Sequence, residues 1–156
     1  MTVDQTIYRN RTGFTLIELL IAIAIVSILA TISIPNIMSE IPKYRLSGAT
    51  RQIVVDLMEA RMKAVRLNRK VKIFFPNSNE YKICDDSNSD GTVDDCEGTT
   101  KVVNIQNNYK DITLDSNNNP TFSPRGTASN LATISITNSY GTKSISIAIT
   151  GRVQIN

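Results

Sequence analysis

Apolar side chains run almost unbroken from Phe14 to Ile34. Beyond them the spacing changes: Leu46, Ala49, Ile53, Leu57, Ala60 and Ala64 recur in steps of three and four. The first pattern predicts a helix apolar on every side, and the second an amphipathic helix with one buried stripe. Pro35 and Pro42 lie between the two. Each removes a helical hydrogen bond, so the expectation is one long, kinked helix. It should end near Leu67 to Lys70, where the period breaks and bases that suit a helix C-terminus gather. Further on, the pattern shortens to alternation, cleanest at Ile134 and Ile136 and at Ile145, Ile147 and Ile149. Strands are expected at 71–75, 81–84, 102–106, 112–114, 132–137, 144–149 and 153–155, with turns at the Asn- and Ser-rich pieces 76–79 and 116–119. The stripe from Leu46 to Ala64 needs a cover, and the sheet is the candidate. The fold class is therefore α+β, a long helix packed on an antiparallel β-sheet domain. Residues 34–156 suffice for one core and not for two.

The segment from Phe14 to Ile34 has about the length, roughly 20 residues, that a helix needs to cross a hydrocarbon core. Arg9 and Arg11 precede it, which by the positive-inside tendency keeps the N-terminus cytoplasmic and sends the rest across. No small-residue cleavage site follows Ile34, and the leader-like junction instead lies ahead of the apolar run, at Gly13-Phe14. Glu18 stands near the start of that run. A charged side chain in lipid costs roughly 2.5 to 3.5 kcal/mol on insertion scales, so this acid is expected to have a partner. Small residues at Ala22, Ala24, Ser27 and Ala30 would let such spans pack closely, although chance composition also accounts for them.

The sequence Gly13-Phe14-Thr15-Leu16-Ile17-Glu18-Leu19-Leu20 resembles the processing signature of type IV prepilins and secretion pseudopilins. The resemblance implies a type IV pilin-like fold and the following parts: a leader, 1–13, removed by a prepilin peptidase between Gly13 and Phe14; N-methylation of Phe14; a transmembrane and filament-core helix, 14–34; an amphipathic continuation, 35–70; and a β-rich globular domain, 71–156. It also implies that Glu18 pairs with a neighbouring subunit's N-terminal amine, which supplies the partner required above. The implied partners are other pilins or pseudopilins, the peptidase and an inner-membrane assembly platform. The implied location is the inner membrane, single-pass with the globular domain periplasmic, and then a pilus or pseudopilus.

The distal half narrows the choice. Phe122-Ser123-Pro124-Arg125-Gly126, the alternating strands and the ending Ile149-Thr150-Gly151-Arg152-Val153 resemble the FimT/FimU and GspH-type minor pilins and pseudopilins. A structural minor pilin that primes or caps a type IV pilus is the leading expectation, and a type II secretion pseudopilin of the H kind is the alternative. A third reading is a FimT-like DNA-binding pilin of natural transformation, with Arg152 as the candidate contact. In that group a Gly-Arg-x-Arg ending is associated with DNA; here Gln154 stands where the second arginine would be, which counts against nucleic acid as a partner. Arg125 and Arg152 mark a candidate ligand-facing edge, against the plainer reading of inert surface arginines.

Charge adds little by its sum, which is +3. Its distribution is more telling. Lys43, Arg45, Arg51, Arg61, Lys63, Arg66, Arg69, Lys70 and Lys72 form a basic band, and Glu80, Asp85, Asp86, Asp90, Asp94, Asp95 and Glu97 follow it. The pairing could order subunits in an assembly or simply be a solvated helix face. Lys70 and Lys72 could equally guard a strand edge. The two cysteines, Cys84 and Cys96, suit a disulfide in an oxidising compartment, and closing such a loop is worth about 3 kcal/mol. With no histidine and no further cysteine, His-based catalysis and zinc-type ligand sets are excluded. No phosphate-binding loop or Gly-x-Ser-x-Gly appears either, and an enzyme is not expected.

Between the cysteines, residues 86–97 satisfy the calcium-loop pattern D-x-[DN]-x-[DN]-G-x5-E. The candidate ligands are Asp86, Asn88, Asp90, the Thr92 carbonyl, Asp94 and Glu97, with Gly91 at the bend. Calcium is thus the candidate cofactor. The competing reading is a disulfide-closed, Asx-rich hairpin that binds nothing.

Overall fold

The structure, a computed structural model, describes residues 13–87, 91, 93, 96 and 98–156, excepting the side chains of Pro35, Thr99 and Thr100. It divides into two units, Met1–Ser39 and Glu40–Asn156. A single helix, α1 (Leu16–Leu67), contributes to both.

In the first unit the helix begins at a threonine cap: the Glu18 N–H donates to Thr15 Oγ1 at 3.3 Å. The segment Leu16–Ile34 has a mean hydropathy of 2.6 and none of it is buried. Its few hydroxyls bond within the helix. Ser27 Oγ donates to the Ile23 carbonyl at 2.7 Å, Thr31 Oγ1 to Ser27 at 2.8 Å and Ser33 Oγ to Leu29 at 2.8 Å. Such back-bonding leaves these polar groups satisfied in surroundings that offer no water.

In the second unit the predicted stripe is the core face. Leu46, Ala49, Ile53, Leu57, Ala60 and Ala64 are each at most 2% exposed. The helix stops after Leu67, where Asn68 takes a left-handed φ of 51° and the Arg69 N–H reaches back to the Ala64 carbonyl at 3.2 Å. Asparagine tolerates that conformation and so ends the helix in place of glycine.

The strands follow: β1 (Val71–Asn77), β2 (Glu80–Asp85), β3 (Gly98–Asn104), β4 (Thr113–Ser116), β5 (Thr121–Phe122), β6 (Ala128–Ser129), β7 (Thr133–Asn138), β8 (Gly141–Ile147) and β9 (Val153–Ile155). They form two antiparallel sheets where the sequence suggests one, five strands in the order β3-β2-β1-β5-β6 and four in the order β4-β7-β8-β9. Val71, Ile73, Tyr81, Ile83 and Phe122 of the first sheet share one core with Leu114, Ile134, Ile136, Ile145 and Ile147 of the second. The sheets are joined where the Leu114 N–H donates to the Ser78 carbonyl at 2.7 Å.

Three further differences from the sequence expectation have local causes. The third strand starts at Gly98 and stops at Asn104, whose side chain accepts the Gln106 N–H and starts a 3-10 turn, Ile105–Asn107. The eighth ends at Ile147 because Ala148 to Gly151 make a turn, closed by Gly151 N–H to the Ala148 carbonyl at 2.8 Å. Strands β5 and β6 are two residues each, too short to leave a periodicity.

Candidate functional site

Three places carry the sequence-predicted site residues. At the start of α1, Gly13, Phe14 and Glu18 are all exposed, and Glu18 sits in the first turn. The sequence reading gives this acid no work inside its own chain, whereas the structure gives it some. Thr15 and Glu18 occupy the first and fourth places of a Thr-x-x-Glu cap, and the carboxylate lies at the helix's positive end. That cap was legible in the sequence and was missed. It leaves the carboxylate facing outward, available to a second partner.

The second place is the loop between β2 and β3. Cys84 and Cys96 are joined in a disulfide. Asp86 is buried, and its Oδ2 accepts the Gly91 N–H at 3.0 Å. Asn88, Asp90, Thr92, Asp94 and Glu97 lie outside the described residues. Among the described residues no group of three or more acids, cysteines or histidines is gathered for a metal.

The third place is the C-terminal turn. Arg152 is exposed and its Nη2 donates to Gln154 Oε1 at 2.9 Å. Where a second arginine would stand, Gln154 instead engages the first. Arg125 lines a shallow depression of about 320 Å³ with Arg61, Met62, Val65, Arg66 and Gly126.

Much of the basic band is engaged within the chain. Lys43 pairs with Glu40 at 2.9 Å, Arg45 with Asp111 at 3.4 Å and Lys63 with Asp85 at 3.5 Å. Lys70 and Lys72 donate to the Gly91 and Val93 carbonyls at 2.5 and 3.1 Å. Arg61 Nε donates to the Gly126 carbonyl at 2.8 Å. These contacts make the band less a free field than a set of struts.

A surface that the sequence reading passed over lies on α1 itself. Val55, Met58, Met62 and Val65 are 61, 46, 65 and 52% exposed. Their steps of three, four and three place them on one face, distinct from the core stripe. The heptad-like spacing was the available signal, hidden because the core stripe reads more strongly.

The comparisons with known proteins decide the family. Residues 49–151 match the family model described as Type II transport protein GspH, and residues 8–34 match that of the prokaryotic N-terminal methylation motif. The chain belongs to the GspH family. It is 27% identical over 156 residues to the pilin-like protein PilA1 of Thermus thermophilus, covering 94% of this chain and 99% of that protein. Its fold is similar to crystal structures of the type IV minor pilin FimU of Pseudomonas aeruginosa. One gives a TM-score of 0.57 at 18% identity over 73% of this chain and 90% of that one; a second crystal form gives 0.54 at 18% over 70% and 91%. The fold is thus that of a type IV pilin, and the apolar helix with its methylation motif marks a membrane-anchored member of this group.

Proposed function

We propose that the chain is a minor pilin, held in the inner membrane by residues 14–34 until it is drawn into a type IV pilus, where it primes or caps assembly. The observation that carries this reading is the apolar segment Leu16–Ile34, none of it buried, with Glu18 in its first turn. Neighbouring spans can replace lipid around such a segment, and a neighbour's amine can meet the acid. A prepilin peptidase cuts between Gly13 and Phe14 and the new N-terminus is methylated. Arg9 and Arg11 hold the leader in the cytoplasm, so the disulfide-closed domain lies in the periplasm, where oxidation is expected. Along the filament the stripe Val55, Met58, Met62 and Val65 offers a second apolar contact.

The test is in cells with the pilus machinery intact. Mass spectrometry of the chain should find N-methylated Phe14 at its start, and Glu18→Ala should abolish recovery in sheared filaments while membrane levels hold. A chain still beginning at Met1, or undiminished incorporation of Glu18→Ala, overturns the reading. The family model's own description favours one second reading, a pseudopilin of type II secretion. Deleting the gene separates the two, since loss of secretion with piliation intact assigns the chain to the secretion filament.

A further inference from the structure

The loop from Asp86 to Glu97 holds more than the disulfide requires. Its twelve residues follow the order of an EF-hand loop, with acids or amides at positions one, three and five, glycine at six, an acid at nine and glutamate at twelve. Order alone is compatible with a hairpin that binds nothing. The decisive observation is Asp86 at position one. Its residue is 5% exposed, one carboxylate oxygen, Oδ2, accepts the Gly91 N–H at 3.0 Å, and the other, Oδ1, is buried with no hydrogen-bond partner among the described residues. A buried carboxylate oxygen left without a donor costs free energy that a fold ordinarily avoids, and a bound cation removes the cost.

The surroundings agree. The bond from Gly91 directs the carboxylate across the loop toward position six, where Gly91 has a φ of 87° that other residues rarely adopt. Val93, at position eight, is buried, at 7% exposed. The Asp86 N–H donates to the Lys70 carbonyl at 3.0 Å, and Cys84 and Cys96 tie the ends together. Three lysines stand near. Lys70 and Lys72 bond the carbonyls of Gly91 and Val93, positions six and eight, neither of which supplies a ligand in such a loop, and Lys63 pairs with Asp85. None of the three bonds Asp86.

We propose that this loop binds one Ca²⁺ ion, with Asp86 Oδ1 as the ligand the fold has already placed and Asn88, Asp90, the Thr92 carbonyl, Asp94 and Glu97 as the further oxygens. Those five enter by their positions in the sequence, and their placement lies outside the described residues. An all-oxygen set ending in a glutamate that can bind through both oxygens suits Ca²⁺ better than Mg²⁺, which keeps its waters and demands an octahedron. The disulfide takes the place of the helix pair that closes an EF-hand.

The experiment titrates CaCl₂ into the full-length processed chain, purified oxidised in detergent and stripped with EGTA, and follows binding heat and thermal unfolding together. Wild type should bind one equivalent with a Kd on the order of 0.1–1 mM or tighter, the range of extracellular calcium modules, and should gain several degrees in Tm at saturation. Mg²⁺ at the same concentration should give less than half that gain. Asp86→Asn and Glu97→Gln should weaken binding at least tenfold. If Asp86→Asn fails to fold, Glu97→Gln decides, with its Tm in EGTA matched to wild type as the control. No binding heat and no Tm gain in wild type overturns the proposal, as does equal affinity in wild type and Glu97→Gln.

Discussion

Arg61 holds the carbonyl of Gly126 through its Nε at 2.8 Å, and its Nη2 reaches the Thr150 carbonyl at 3.3 Å. One helix side chain thereby ties together two turns that are 24 residues apart in sequence, 126 and 150. Gly151 completes the arrangement. Its φ is 74°, and a Cβ there would fall 2.1 Å from the Gly126 carbonyl oxygen and 2.8 Å from Arg61 Nε. The Gly-Arg ending is thus a packing device at its glycine, whatever its arginine does. Gly151→Ala should destabilise by about 2–4 kcal/mol, combining a left-handed backbone with a backbone clash, and denaturant unfolding checks it.

Arg152 should behave oppositely. It is exposed, and its side chain bonds Gln154 two residues on and no other group among the described residues, so Arg152→Ala is expected to change stability by about 0.5 kcal/mol at most. The same variant tests nucleic acid as a partner. A gel-shift series at rising salt should reveal no binding that Arg152→Ala removes, because that arginine engages Gln154 and much of the basic band is held by contacts within the chain.

A network built on buried Tyr81 and Asp56 and reaching the surface through Lys101 and Glu59 accounts for the predicted response to alkali. Tyr81 donates its hydroxyl to Asp56 Oδ2, while Lys101 Nζ meets Asp56 Oδ1 at 2.7 Å and Glu59 at 3.1 Å. Burial first, and then the Asp56 carboxylate it bonds, push the Tyr81 phenol well above its ordinary range. Lys101 is likewise raised, chiefly by its hydrogen bond to Asp56. A group raised on folding contributes stability below its unfolded pKa and loses it as pH climbs toward the folded value. With unfolded values near 10 for both residue types, Tm should be insensitive to these two groups up to about pH 9 and fall above about pH 10. Tyr81→Phe should cost about 1.5–3 kcal/mol at neutral pH, by removing a donor from a buried carboxylate, and should make the alkaline fall shallower.

How much of this was legible beforehand depended on range. The six-residue stripe from Leu46 to Ala64 lies in the core as its spacing predicts, since a helix converts spacing directly into a face. The alternation of Ile134 with Ile136 and of Ile145 with Ile147 likewise buries all four, whereas Ile149, the third of that second run, is 67% exposed because the strand ends at Ile147. The split into two sheets was not legible. It turns on β5 and β6, two residues each, and on the link from Leu114 to Ser78. Nor were the pairs Asp56 with Tyr81 and Gly126 with Gly151, because sequence carries residue types and not tertiary distances. The Thr15 cap on Glu18 was different, a local signal overlooked because the acid's cost in lipid drew the whole argument outward.

The disulfide gives a prediction with an internal control. Cys84 is fully buried in β2, and the bond to Cys96 closes a loop with a sequence separation of 12. On the chain-entropy account, opening it should cost about 3 kcal/mol. Wild type under reducing conditions and the Cys84→Ala, Cys96→Ala double variant should therefore melt at similar, lowered temperatures. Adding reductant to the double variant should change nothing further.

The last prediction concerns the exposed stripe on α1. Val55, Met58, Met62 and Val65 are 46 to 65% exposed, and among the described residues Met62 and Val65 meet the rest of the chain only at the shallow depression beside Arg125 and Gly126. Exchanging two of them for charge should therefore leave the fold nearly as stable, within about 1 kcal/mol for the pair. In a filament the same exchange would bury charge against a neighbour, which is costly when no partner is supplied. Met62→Glu with Val65→Glu should accordingly keep its Tm and its membrane level yet disappear from sheared pili. If the double variant assembles normally, this face points to solvent in the filament, and subunit contact rests on the N-terminal segment alone.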